Sequence, residues 1–184
     1  TYEVLRCGAK QIVNGEGGPD TIETGPGNDE INGGSDEDTI VSHNGNDIIN
    51  GGPDRDRLWG VAGIDTIHGG DEEGPGDYII DGGIHNDLLY GDGGNDRMEG
   101  GGGNDYMEGN SGEDNMEGNA DNDEMYGGPN EEETDGDFIY GDSGDDTICG
   151  NAGADVIRGG LGVDSIGGNG GIDDMSASPE GGAV

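Results

Sequence analysis

Aspartate recurs along this chain at a nearly fixed interval, and that interval constrains the fold more than any other feature. The positions are Asp20, Asp29, Asp38, Asp47, Asp56, Asp65, Asp77, Asp87, Asp96, Asp105, Asp114, Asp123, Asp137, Asp146, Asp155, Asp164 and Asp173. Thirteen of the sixteen spacings are nine residues; the others are twelve, ten and fourteen. Two residues after each of these aspartates stands Ile, Leu or Met. A short fixed period means one structural unit stacked on itself many times. Aligned on its aspartate the unit reads G-G-x-G-x-D-x-U-x, with U a large aliphatic residue. Gly100 to Glu108 (GGGGNDYME) and Gly159 to Gly167 (GGLGVDSIG) are clean copies.

Glycines tolerate positive φ, so the first six positions predict a turn. The last three predict a short strand in which U points one way and its neighbours the other. A three-residue strand cannot stand alone and must pair with its equivalent in a neighbouring coil. The expected fold is therefore all-β, a parallel β-solenoid with two nonapeptides per coil and the U side chains packed between two sheets. Seventeen repeats give about 8.5 coils, or a rod of about 41 Å at the usual strand spacing. Turns absorb insertions that strands would register as slips. Repeat seven carries Asp71-Glu72-Glu73 in a lengthened turn, repeat thirteen carries Glu131-Glu132-Glu133-Thr134-Asp135, and repeat eight reads as one residue longer. Odd-numbered turns share one edge, so both acidic insertions are expected to project from it. In residues 1–14, Gln11 replaces the aspartate ahead of Ile12-Val13-Asn14. That segment reads as an N-terminal cap strand, 15–176 as the solenoid, and 177–184 as a tail expected to fray.

Composition sets a further demand. The chain has 184 residues, 45 of them Gly, and a formal net charge of −37. So few large aliphatics offset the ordering entropy of a glycine-rich chain poorly, and 43 carboxylates repel one another. Compaction requires cations. A polyanion does not hold nucleic acid electrostatically and avoids anionic membranes. No apolar stretch approaches 18 residues, so no membrane insertion is expected. Cys7 and Cys149 are too few for a disulfide scaffold. They fall about seven coils apart, roughly 34 Å, beyond the reach of a disulfide. The chain opens at Thr1 rather than Met, the expectation for a processed or trimmed product.

Stacking one turn on its next equivalent gathers two carboxylates and several backbone carbonyls round one gap. Hard oxygen ligands in a flexible cage suit Ca²⁺, whereas Zn²⁺ favours Cys and His, which are scarce here. Aspartate also favours turns in its own right. That accounts for a single turn but not for a column of like charges at sheet spacing. All seventeen aspartates are thus expected metal ligands.

The repeat resembles that of the RTX (repeats-in-toxin, haemolysin-type) calcium-binding family, over residues 15–176. The resemblance implies a right-handed parallel β-roll with multiple Ca²⁺ ions, each between the turns of repeats n and n+2. It also implies secretion, and folding triggered by extracellular calcium. His85 stands where position four is Gly in the family repeat, and the lengthened turns of repeats seven and thirteen blur the register. Asp36, Asp54, Asp121 and Asp135 occupy position four as candidate additional carboxylate ligands.

No HExxH or GxSxG motif occurs, and His43, His68 and His85 fall at scattered repeat positions. No enzyme is expected. Positions seven and nine face outward and carry Trp59, Tyr78, Tyr90, Tyr106, Tyr126, Phe138 and Tyr140, with Ile48, Ile80, Leu88, Val41 and Val156. The leading expectation is a secreted, calcium-binding structural rod. An adhesion or self-assembly module using the aromatic strip or the exposed ends is the alternative. A fragment of a larger secreted RTX enzyme or toxin is the third.

Overall fold

The computed structural model describes residues 2–4, 8–71, 76, 79–129 and 136–177. Among them there is no helix, and none therefore that could cross a membrane. The odd-numbered strands are β1 (Tyr2–Val4), β3 (Thr21–Glu23), β5 (Thr39–Val41), β7 (Arg57–Ala62), β9 (Ile79–Ile84), β11 (Arg97–Gly102), β13 (Asn115–Ala120), β15 (Phe138–Ser143), β17 (Val156–Leu161) and β19 (Asp174–Ser176). They form one sheet of ten in that order. The even-numbered strands are β2 (Ile12–Asn14), β4 (Glu30–Asn32), β6 (Ile48–Asn50), β8 (Thr66–Asp71), β10 (Leu88–Gly93), β12 (Tyr106–Ser111), β14 (Glu124–Gly128), β16 (Thr147–Ala152) and β18 (Ser165–Gly170). They form a second sheet of nine. Pairing is parallel, each strand joining the strand two further on, as in Ile22 with Ile40 and Met107 with Met125. This is the β-roll, with consecutive nonapeptides alternating between two sheets. β1 and β2 already pair in them, with β3 and β4. The expected tail lies almost wholly outside the described residues, as does Cys7.

Strands β2 to β17 each deliver one side chain inward at position eight. Val13, Ile22, Ile31, Ile40, Ile49, Leu58, Ile67, Ile80, Leu89, Met98, Met107, Met116, Met125, Ile139, Ile148 and Ile157 make one continuous buried core, with Ile166 partly buried against it. Two expectations need correction. Ile80 was placed outward, yet it is fully buried and pairs with Leu58 and Met98; Ile79 takes the half-buried position beside Arg57. Repeat eight is also not longer: its turn from Gly82 to Asp87 has the standard length. The Asp65 amide donates to Asp87 across 22 residues instead of 18, so all four extra residues precede β9. The assignment of Ile79 to position eight of repeat seven is one residue out, because sheet pairing rather than aspartate spacing sets the strand register. Asp77 and Tyr78 lie outside the described residues.

Strands are also longer than the expected three residues. From β7 onward most run six, through positions seven to nine and on through one to three of the next repeat. The backbone there meets its equivalent in the next coil and satisfies its N–H and C=O groups. The earlier coils make comparable bonds singly, as from the Gly33 amide to the Asn50 carbonyl at 2.9 Å. Left-handed φ values concentrate at positions two and four, for example 115° at Gly34 and 131° at Gly103. Val61, at position two with φ 80°, is a β-branched residue in that region and is strained.

Candidate metal centre

The position-six side chains turn inward at the corner where turn meets strand. Asp38, Asp56, Asp65, Asp114 and Asp137 are fully buried, and Asp20, Asp29, Asp47, Asp87, Asp96, Asp105, Asp123, Asp146 and Asp155 nearly so. From Asp29 on, and with Asp96 set aside, each of these Oδ1 atoms accepts a hydrogen bond from the backbone N–H of the equivalent residue two repeats earlier. Asp38 accepts from Asp20 at 2.7 Å, Asp56 from Asp38 at 2.7 Å and Asp123 from Asp105 at 2.9 Å. On the even edge the ladder continues past the first insertion, with Asp65 to Asp87 at 2.7 Å, and on the odd edge it continues through the second, with Asp114 to Asp137 at 2.9 Å. It loosens only at the C-terminal end, where Asp164 and Asp173, themselves less buried, accept at 3.2 Å. Gln11 enters the same ladder by donating its amide to Asp29 at 2.8 Å.

One carboxylate oxygen is thereby used, and the other is stranded. The Oδ2 atoms of Asp29, Asp38, Asp65, Asp87, Asp105, Asp114, Asp123, Asp146, Asp155 and Asp164 are buried without a hydrogen-bond partner. Those of Asp38, Asp65, Asp87, Asp105, Asp114, Asp123 and Asp146 each face a small space shared with a backbone carbonyl. A Cβ added at Gly82 would lie 2.7 Å from Asp87 Oδ2 and 2.9 Å from the Gly100 carbonyl; at Gly91 the distances to Asp96 Oδ2 and the Gly109 carbonyl are 2.6 and 2.7 Å. Position one is therefore glycine because a side chain would fill this oxygen-lined space. Two repeats do fill it: the hydroxyls of the buried Thr24 and Ser42 each donate at 3.0 Å to the position-one carbonyl two repeats on, of Ser42 and Gly60.

Burial drives the carboxyl pKa values upward. Those of Asp38, Asp65 and Asp105 rise to about 6, and those of Asp87, Asp114 and Asp123 to about 7. Loss of hydration is the main cause. At Asp38 the neighbouring Asp36 adds to it, while at the others the hydrogen bond from the preceding aspartate's amide opposes it. Ionising a dry column of this kind calls for a hard cation, and the donors are oxygens only. Among the described residues no three His, Cys, Asp or Glu side chains converge on a point. A cation here would draw on aspartates together with backbone carbonyls, which fits Ca²⁺ better than Zn²⁺.

The position-four aspartates behave differently. Asp36 and Asp54 are exposed, and their carboxylates accept the amides of Gly18 and Asp36 at 3.0 and 3.1 Å. Asp121 adopts φ 77°, and Asp135 lies outside the described residues.

A second ladder was not anticipated from the sequence. At position five of the even-numbered turns, the side-chain oxygen accepts the backbone amide two repeats later, opposite in sense to the aspartates. Asn28 accepts from Asn46, Asn46 from Ile64, Asn86 from Asn104, Asn104 from Asn122, Asn122 from Asp145 and Asp145 from Val163, at 2.7–3.1 Å. Asparagine at one fixed position of alternate repeats was the available signal.

Outside, the sheet of nine carries an aromatic row. His68 stacks on Tyr90 with centroids 4.6 Å apart, and Tyr90–Tyr106 and Tyr106–Tyr126 follow at 5.9 and 5.7 Å. Trp59, Phe138 and Tyr140 stand on the other sheet. The histidines are spread apart: His43 pairs with Glu23 and His68 with Asp92.

The pattern of the RTX calcium-binding nonapeptide repeat matches residues 14–49, 50–72, 74–107, 99–130, 134–156 and 140–175. No curated protein matches the chain.

Proposed function

Since the chain belongs to the RTX calcium-binding nonapeptide repeat family, we propose that it is a secreted structural module whose roll assembles when calcium reaches the aspartate column. The observation that carries this reading is the stranded Oδ2 row, buried beside position-one carbonyls along both edges. Without a cation those charges oppose the fold. With calcium, binding energy becomes folding energy. The ligands are the aspartates of the comb together with turn carbonyls, each ion lying between the turns of repeats n and n+2. Thr24 and Ser42 are expected to weaken the first two even turns as sites, because their hydroxyls already occupy the oxygen-lined space. The rod itself is the product, and the chain carries no chemistry of its own.

The test is far-UV circular dichroism through a calcium titration from chelator, with magnesium as the parallel arm. A cooperative gain of β-structure is expected, with a midpoint of about 10⁻⁴ to 10⁻³ M, typical of extracellular modules. An identical spectrum in chelator and in excess calcium sinks the proposal. A gain equal in magnesium sinks its ion assignment.

A further inference from the structure

The aromatic row on the sheet of nine is not a simple apolar strip. His68, Tyr90, Tyr106 and Tyr126 stand on β8, β10, β12 and β14, one per coil. Two glutamates interleave with them. Tyr106 lies beside Glu124 in the pairing of β12 with β14, and Glu108 lies beside Tyr126, so rings and carboxylates alternate like a checkerboard. The Tyr106 hydroxyl donates to Glu108 at 3.1 Å and the Tyr126 hydroxyl to Glu124 at 2.5 Å. A phenol that donates to a carboxylate gains electron density in its ring, and an electron-rich ring attracts cations more strongly. The tilts of 49° and 42° keep Tyr90, Tyr106 and Tyr126 from closing face to face as His68 and Tyr90 do at 8°.

We propose that this Tyr–Glu row is a docking strip for an arginine-bearing polypeptide segment of a partner. Charge complementarity selects the occupant. Glu108 and Glu124 within the strip, and a net charge of −37 before calcium is bound, disfavour nucleic acid, anionic membranes and a second copy of this chain and steer basic partners. Arginine suits the strip better than lysine, because its planar guanidinium stacks on a ring while its fork engages a carboxylate. Three strand spacings give about 14 Å, room for roughly four extended residues. The inference rests on the calcium-folded roll proposed above, since the row exists only when successive coils are stacked.

The experiment titrates labelled hexa-arginine, with hexa-lysine in parallel, into the calcium-loaded full chain at near-physiological salt. Circular dichroism of the same samples reports the fold, so a roll that fails to form is told apart from a strip that fails to bind. Hexa-arginine should bind more tightly than hexa-lysine. Tyr106→Ser with Tyr126→Ser should weaken it about tenfold or more, since two cation–π partners are lost, with the calcium midpoint unchanged. Tyr106→Phe with Tyr126→Phe keeps the rings but severs both phenol–carboxylate bonds, and should weaken binding about threefold. Trp59→Ser, on the opposite sheet, should leave it unaltered. Equal affinity for the two peptides overturns the proposal, as does wild-type affinity in the serine pair. Should the serine pair lose its fold, the phenylalanine pair decides, and wild-type affinity there overturns it. A neutral hexasaccharide that displaces the peptide from the strip also overturns it.

Discussion

The two turn edges of the roll share one ladder and differ in a second. On both, aspartate Oδ1 atoms accept backbone amides from two repeats back. The even edge adds position-five oxygens that accept amides from two repeats ahead, so neighbouring even turns are tied in both directions. The odd edge has one such tie among the described residues, from Glu113 to Asn95 at 3.2 Å. Its position five is otherwise Pro19, Glu37, Arg55, Ala154 and Ile172, or glycine as at Gly136. Both long insertions fall on the odd edge. The insertions fall on the edge where position-five ties are sparse, and the edge whose turns are tied in both directions carries none.

Substitutions that strike the shared ladder should have the largest effect and should not distinguish the edges. Gly82→Ala on the even edge and Gly91→Ala on the odd edge each push a methyl against a carboxylate oxygen and a carbonyl. Each should cost about 2–3 kcal/mol by overpacking, read as a lower Tm in calcium. A large difference between the two would break the equivalence of the aspartate columns. Insertion should then separate the edges. Three glycines placed between Gly103 and Asn104 sever two amide–carboxamide bonds, at 3.0 Å each. The same insert between Gly153 and Ala154 severs none of that kind. At about 1 kcal/mol per bond, the even insert should cost about 2 kcal/mol more in chemical denaturation; equal costs would remove the second ladder from the explanation.

Acidity should act on both edges together. The folded carboxyl pKa values of Asp87 and Asp114, one on each edge, stand at about 7, against an ordinary value of 3.8. With folded values raised, protonation favours the metal-free roll. That stabilisation is complete below about pH 4 and disappears as pH rises through about 7. Calcium binding needs the ionised form and so weakens over the same window. Between pH 7.5 and 5.5 the calcium midpoint should rise about tenfold while β-content in chelator increases; a midpoint independent of pH would contradict the burial of these carboxylates. The smallest expected effect is local. Val61→Asn relieves a left-handed β-branched residue and should stabilise the roll by about 1 kcal/mol, visible as a Tm gain in calcium. No gain would mean that the Val61 side chain offsets its own strain.

Much of this architecture was legible because its signal is periodic. The aspartate comb, the inward position-eight aliphatics and the alternation between two sheets all follow from one repeated spacing. The failures occur where spacing is locally degenerate. Ile79 and Ile80 are adjacent and chemically identical, so only pairing with Leu58 and Met98 chooses between them. Thr24 and Ser42 break the glycine pattern by one small residue, and their significance lies in a hydroxyl that reaches a carbonyl in another coil. The position-five asparagines read as ordinary turn residues until coils are stacked. Strand length was underestimated because glycines at positions one to three signal turns by propensity, while cross-coil pairing makes them extended.

Alternation of consecutive nonapeptides between the two sheets gives the chain a reading frame. Gain or loss of eighteen residues leaves every downstream side chain on its own face and every turn on its own edge. Gain or loss of nine keeps the repeat motif intact and yet transfers everything beyond it to the opposite face. A row such as His68 to Tyr126 would then be cut in two, half on each side of the rod. Lineages of this architecture should therefore grow and shrink in double steps wherever a face carries a function, and in single steps only where both faces are blank.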